Sequence, residues 1–161
     1  MAQQTLSTPE ELLHYQVRSA LKMEEGSLEA LDELHSAARD KKIKELFSHH
    51  SEETREQIAN LEKVFKLIGH DSSTAPSPAS TGIKNQAAGL LEKSEGKLHN
   101  QIALMSALGN EHFEISAYQG LIVQAQALDM PDAKELFQMN LDQEVHTSKE
   151  LHSTLQELLL N

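Results

Sequence analysis

The sequence predicts an all-α fold: four long helices arranged as two helical hairpins, with a long crossover connection and a short extra helix between them. Three observations carry this. Apolar residues recur at intervals of three and four along four separate stretches, the spacing that places them on one face of a helix. Apolar residues make up 39% of the chain but aromatics only 4%, so the core must be built from Leu, Ile, Ala and Val, which suits packed helices. A length of 161 residues supports one core rather than two, so residues 1–161 are expected to form a single domain.

The first helix is expected over about 8–38. Thr8-Pro9-Glu10-Glu11 reads as its start, with Thr8 as N-cap, Pro9 at the first helical position and Glu11 closing a capping box. Its stripe runs Leu13, Val17, Ala20, Leu21, Leu28, Leu31, Leu34, Ala38. After a short break at Arg39 to Lys41 the second helix, about 42–69, carries Ile43, Leu46, Phe47, Ile58, Leu61, Val64, Phe65 and Ile68, and Gly69 is a plausible C′ stop. So brief a break makes the pair an antiparallel hairpin. Asp71 to Thr81, with Pro76, Ser77 and Pro78, reads as an extended part of the 70–96 connection, and Gly82 to about Ser94 as a minor helix. The third long helix, about 97–128, presents Ile102, Leu104, Leu108, Ile115, Tyr118, Leu121, Ile122 and Ala125. The fourth, about 130–159, opens near Pro131 and carries Leu136, Phe137, Leu141, Leu151, Leu155 and Leu158.

The two halves also match each other. Lys44-Glu45-Leu46-Phe47 recurs as Lys134-Glu135-Leu136-Phe137, an offset of 90 residues that also sets Glu24 over Glu114, Leu31 over Leu121 and Leu61 over Leu151. A duplicated hairpin completes a four-helix bundle by burying its stripe against that of its copy.

Composition narrows the function. Lys and Arg number 14 against 25 Asp and Glu, for a net charge of −11, so there is no basic field to displace counterions from a phosphate backbone or meet an anionic membrane. The chain has no cysteine, which excludes disulfides, thiolate metal sites, iron–sulfur clusters and thiol nucleophiles. Met1 to Thr8 is polar with no apolar run, and no stretch approaches membrane-spanning length, which together predict a cytoplasmic protein.

The informative residues are those that interrupt the stripes, because Glu and His are seldom buried without a partner. Glu24 stands in the series 13, 17, 20, 24, 28, 31, and His50 in 43, 47, 50, 54, 57, 61, with Glu53 about 60° away around the axis. Glu111 lies on the third series with Glu114 beside it, and Glu144 on the fourth. All stand roughly midway along their helices and should share one layer. One such Glu is ordinarily an edge residue that snorkels to water, and one such His a satisfied core residue. Four helices breaking their stripes at one level is different. Carboxylates gathered in a dry layer must bind protons or surround cations, and His50 favours a transition metal over calcium. Carboxylates and imidazoles from all four helices build di-metal sites in ferritin-like bundles, partly through ligand pairs at i, i+3, the spacing of His50-x-x-Glu53. His146 is expected on an outer face with at most a supporting role. His112 is expected outside or orienting a ligand, and Tyr118 in the core with its hydroxyl bonded or beside a redox centre. His49, His70, His99 and His152 form no group visible in the sequence.

The stretches Ala20-Leu-Lys-Met-Glu24, Phe47-Ser-His-His50-Ser-Glu-Glu53-Thr54, Glu111-His-Phe-Glu114-Ile-Ser-Ala-Tyr118 and Asn140-Leu-Asp-Gln-Glu144-Val-His-Thr147 resemble the YciE/YciF-type family of ferritin-like bacterial proteins. The resemblance extends from about Leu12 to Leu158. It implies a ferritin-like four-helix bundle, commonly a homodimer, associated with bacterial stress responses and often labelled ferroxidase. The ligands it implies are Glu24, His50, Glu53, Glu111, Glu114 and Glu144, the six that the stripes single out. Three departures stand out: Gln143 where many relatives have an acidic residue, Glu144-x-x-Thr147 with no inward His, and Ser77 where some relatives have cysteine.

These readings lead to a di-metal protein, with two iron ions expected and manganese as the alternative, that oxidises Fe(II) with oxygen or peroxide during stress. No organic substrate is indicated. Two other functions compete: a structural or interaction protein whose site is vestigial, and a manganese centre that disproportionates peroxide.

Overall fold

The computed structural model describes residues 5–161, so the first four residues of the polar stretch Met1–Thr8 lie outside it. Five helices form: α1 Pro9–Ala37, α2 Lys41–Leu67, α3 Pro78–Glu92, α4 His99–Ala127 and α5 Pro131–Leu160, with one 3₁₀ turn at Gly96–Leu98. The four long helices begin and end within two residues of the expected positions, because local chemistry sets their ends. The Thr8 hydroxyl accepts from the Glu11 N–H while the Glu11 carboxylate accepts from the Thr8 N–H, so the capping box is complete. Asp40 caps α2 by accepting from the Ile43 N–H at 3.1 Å. Gly69 takes φ 76° after α2, with His70 N–H bonded to Phe65 O and Gly69 N–H to Lys66 O, the double bond of a Schellman stop. Asp129 closes α4 the same way at φ 54°.

α1 and α2 form one hairpin and α4 and α5 the other; α1 packs on α4 and α2 on α5, while α3 lies across the α1–α4 pair. The extra helix starts earlier than its sequence suggests, at Pro78 rather than Gly82, so the last four residues of the stretch read as extended are helical. Proline at the first helical position needs no hydrogen-bond donor there and presets φ, which permits the early start. The rest of the connection is strapped to α1: Arg18 Nη2 donates to Thr74 O at 2.8 Å, Ser19 Oγ to Pro76 O at 2.9 Å, and Ala75 N–H to Arg18 O at 3.1 Å.

The helix faces are rotated slightly from the expected stripes. On α1 the buried line passes through Ser27, leaving Leu28 half-buried, and on α4 it passes through Ala107 and Glu114, leaving Leu108 and Ile115 half-buried. Polar and small residues therefore face the centre at mid-height. The apolar core is split accordingly. One cluster holds Val17, Phe65, Leu121 and Phe137, the other Leu34, Phe47, Leu104 and Leu151, and the polar layer lies between them. The repeat-related pairs Phe47 and Phe137, and Leu61 and Leu151, are fully buried, as the 90-residue offset requires.

Candidate metal centre

Every long helix sends a carboxylate or imidazole into the central layer. α1 supplies Glu24, α2 His50, α4 Glu111 and Glu114, and α5 Glu144, none more than 1% exposed. Glu53 is the exception, with its side chain 13% exposed at the edge of the layer, as its displacement around α2 predicts.

His50, Glu111, Glu114 and Glu144 form the tightest group: each offers a donor atom within 4.8 Å of the others. The His50 Nε2–H donates to Glu111 Oε1 at 2.5 Å, and His50 Nδ1 lies 3.5 Å from Glu53 Oε2. Thr147 Oγ1 donates to the same Glu53 oxygen at 2.9 Å. Glu24 stands outside this group, next to Glu114, and one of its oxygens accepts a short hydrogen bond from the Tyr118 hydroxyl. Asn140 continues that chain: its amide donates to the Tyr118 oxygen at 3.0 Å and to Gln57 O at 3.2 Å, and its carbonyl accepts from Asn60 at 2.9 Å.

Electrostatics shows the strain of this arrangement without a cation. Burial pushes the Glu24 carboxyl up to about 8, against the pull of the Tyr118 hydrogen bond. Burial, then the neighbouring carboxylates Glu24 and Glu111, push Glu114 well above the usual carboxylate range; burial with Glu114 and Glu111 does the same to Glu144. Burial works against charge on His50, but Glu111 outweighs it and lifts the imidazole to about 10. For Glu53, partial burial is outweighed by the His50 and Thr147 hydrogen bonds, which hold its pKa down. Buried oxygens also go unpartnered: Glu24 Oε2, Glu111 Oε2 and both oxygens of Glu114 and Glu144. Unpaired buried carboxylate oxygens are costly, and several converging from three helices with one imidazole are the donor set of a carboxylate-rich transition-metal site. The residues fit such an ion.

The six sequence-predicted residues thus divide. Four make the tight group, Glu53 reaches it from the rim, and Glu24 faces it from the Tyr118 side. Tyr118 is buried with its hydroxyl bonded, and His112 and His146 point outward. Sequence reasoning missed the polar residues that support the layer: Gln57, Asn60, Asn140 and Thr147. The repeat held a clue to one, since Asn140 stands 90 residues from His50 and occupies the equivalent turn of α5. It also missed His70, whose ring stacks on His14 at 3.7 Å, away from the layer. Gln143 is no inward residue: its amide donates to Glu56 across the α2–α5 rim at 2.8 Å.

A carboxylate-rich layer in a four-helix bundle of two hairpins with a crossing connection defines the class: a ferritin-like helical protein with a candidate metal centre. The chain belongs to the family described as domain of unknown function DUF892, which matches residues 8–161. Its fold is that of YciF-type proteins. YcfI, a candidate structural protein from Rhodopseudomonas palustris, is similar with a TM-score of 0.90 at 26% identity, over 94% of this chain and 98% of that one. The Escherichia coli stress protein YciF has a TM-score of 0.87 at 23% identity, over 93% and 96% of the two chains. A protein from Xanthomonas campestris pv. campestris reaches 0.78 at 19% identity, over 95% of each. A search of curated proteins gives no match. Among the described residues no helix is long and apolar enough to cross a membrane.

Proposed function

We propose that this protein holds transition-metal ions in its central layer and oxidises Fe(II) with oxygen or peroxide, protecting a bacterial cytoplasm under stress. One observation carries the reading: His50, Glu111, Glu114 and Glu144 present buried donor atoms within 4.8 Å of one another, and most of their carboxylate oxygens have no other partner. Glu24 and Glu53 are the further donors for a second ion. Bound iron supplies one-electron redox chemistry, with two ions matching the two-electron reduction of peroxide. The protein's part is to position and insulate. His50 contributes a neutral nitrogen once its imidazolium gives up one proton, the carboxylates favour the higher oxidation state, and the Phe47 and Phe137 sides of the layer exclude water. Tyr118 fixes Glu24 through its hydroxyl, and Thr147 fixes Glu53. Manganese disproportionating peroxide would use the same donors. The homodimer is part of the proposal, and light scattering reads it.

A specific observation favours a second reading, a structural or interaction protein. With Glu24 lifted to about 8 and Glu114 and Glu144 also raised, protonation relieves part of the repulsion without any metal. Elemental analysis of protein purified without added metal, paired with absorbance during anaerobic Fe(II) loading and then oxygen, separates the two. About two irons per chain and a ferric band support the redox centre. Stoichiometric metal absent, with oxidation no faster than in buffer, supports the structural role. Loss of iron-dependent oxygen uptake in Glu53→Ala is the matching result for the redox reading, and unchanged uptake would sink it.

A further inference from the structure

Beneath α3 a pocket of about 20 Å³ lies between α1 and α4, and it is built around a missing side chain. Gly26 stands in the interior of α1, where glycine weakens a helix, and lines this pocket; a Cβ there would meet nothing within 4 Å. One water needs about 10–15 Å³ of such space, so the pocket has room for a molecule of two oxygen atoms but not for a larger organic substrate or a hydrated cation.

The walls set the chemistry. Ser27, Ser106 and Asn110 bring hydroxyl and amide groups to a largely apolar lining, and the Asn110 amide donates to the Ser27 oxygen at 3.2 Å. The charged residues of the lining are Lys84 and Glu111. Lys84 is paired with Glu29 at 2.5 Å and Glu33 at 3.7 Å, so the pocket offers no free cation to an anion. Glu111 joins the pocket to the central layer: it is 1% exposed, its Oε1 is taken by His50, and its Oε2 has no partner. Ser27 also neighbours Glu114. A pocket that shares a wall with the donor group, and carries hydroxyl and amide groups without a free cation, suits a small neutral molecule that both donates and accepts hydrogen bonds.

We infer that this pocket between α1, α3 and α4 is a binding site for hydrogen peroxide, from which the oxidant reaches the central layer past Glu111. Dioxygen is apolar and gains little from Ser27, Ser106 and Asn110, whereas peroxide can donate to and accept from such groups at both ends. The inference rests on the proposed metal-holding role of the central layer, and it selects peroxide over dioxygen as the oxidant. Reduction of one peroxide takes one electron from each of two Fe(II) ions and two protons, breaks the O–O bond and releases two waters.

The test compares wild type with Gly26→Leu, which fills the pocket, and with Gly109→Leu, at an exposed position of α4 outside it. Both changes favour the helix, so both proteins should fold, and circular dichroism checks this. Gly26→Ala, a smaller filling, takes the place of Gly26→Leu if the larger side chain unfolds the protein. Metal-free protein is first titrated with hydrogen peroxide while its amide NMR signals are followed. Shifts confined to Ser27, Ser106, Asn110 and their neighbours are expected in wild type and Gly109→Leu and should be lost in Gly26→Leu; a wild type without them overturns the inference. In Fe(II)-loaded, anaerobic protein, stopped flow should find oxidation by peroxide about tenfold slower in Gly26→Leu, the order of effect of one lost hydrogen bond, with Gly109→Leu unchanged. Oxidation by dioxygen should not slow with it, and equal slowing by both oxidants overturns the peroxide site. If wild type binds no iron, the central-layer reading has failed, and the metal-free titration judges the pocket alone: wall shifts lost in Gly26→Leu support peroxide binding, and their absence overturns it.

Discussion

The two hairpins share a repeat of 90 residues, yet they are unequal partners in the central layer. Glu24 of the first matches Glu114 of the second, and both are fully buried. Elsewhere the copies diverge: Leu21 stands where α4 has Glu111, Thr54 where α5 has Glu144, and His50 where α5 has Asn140. Three of the four donors in the tight group therefore come from α4 and α5, with His50 alone crossing from α2. Of the first hairpin's two other carboxylates, Glu53 sits at the rim bonded to Thr147, and Glu24 is tied to Tyr118 and through it to Asn140. A duplicated scaffold thus holds one well-formed donor group and, beside it, a hydrogen-bonded chain in which a second ion would have to compete with protein partners.

The sharpest way to break this comparison is to remove a donor from the richer hairpin. Glu144→Leu should abolish stoichiometric metal, while the metal-free protein gains about 1–3 kcal/mol because one buried, crowded carboxyl is gone. Elemental analysis and thermal unfolding in chelator read the two effects, and a metal-free protein that is instead destabilised would contradict the crowding. Next in size is the pH response. Glu24, Glu114 and Glu144 have raised carboxyl pKa values, Glu24 about 8, and His50 is raised to about 10, so the metal-free fold holds more protons than the unfolded chain. Its stability should therefore be greatest at acid pH and decline as pH climbs from the ordinary carboxylate range toward 8, and toward 10 for the His50 share. Metal-loaded protein, with its ligands already deprotonated, should not show this decline, and denaturant titrations at pH 5, 7 and 9 compare the two.

A smaller effect probes the Glu24 side. Tyr118→Phe leaves Glu24 and Asn140 each short of a partner and should cost about 1–2 kcal/mol in the metal-free protein. The group of His50, Glu111, Glu114 and Glu144 should still bind its ion, so that elemental analysis finds first-ion occupancy intact. Loss of all metal on this change would show that the two sides form one site. Smallest is Gln143→Glu, which places a carboxylate at this position of α5. Because Gln143 sits on the rim beside Glu56, this change should shift stability by less than about 0.5 kcal/mol and leave metal content untouched.

Much of this was legible in advance because it depends on spacing. Capping at Thr8, the stop at Gly69 and Pro131 at a helix start are local signals, so the long helices are placed within two residues. Glu24, His50, Glu111, Glu114 and Glu144 could be named because a charged or imidazole side chain on an apolar stripe contradicts the burial that the stripe predicts. The start of α3 was misplaced because proline looks like an ending unless it occupies the first turn. Asn140 and Thr147 passed unnoticed because amide and hydroxyl groups interrupt a stripe without contradicting burial, and only their partners reveal what they do.

By itself the sequence determined the class of fold, the hairpin pairing, the height of the polar layer and which ionisable side chains enter it, since helical period and local caps act over a few residues. The tertiary structure alone decided how those side chains are shared out. Small rotations of α1 and α4 bring Ser27 and Glu114 fully inward, the packing of four helices sets His50 against Glu111 and Glu24 against Tyr118, and α3 comes to rest against α1 and α4. These depend on how the helices are turned and packed against each other, a property of the assembled core that no single helix carries.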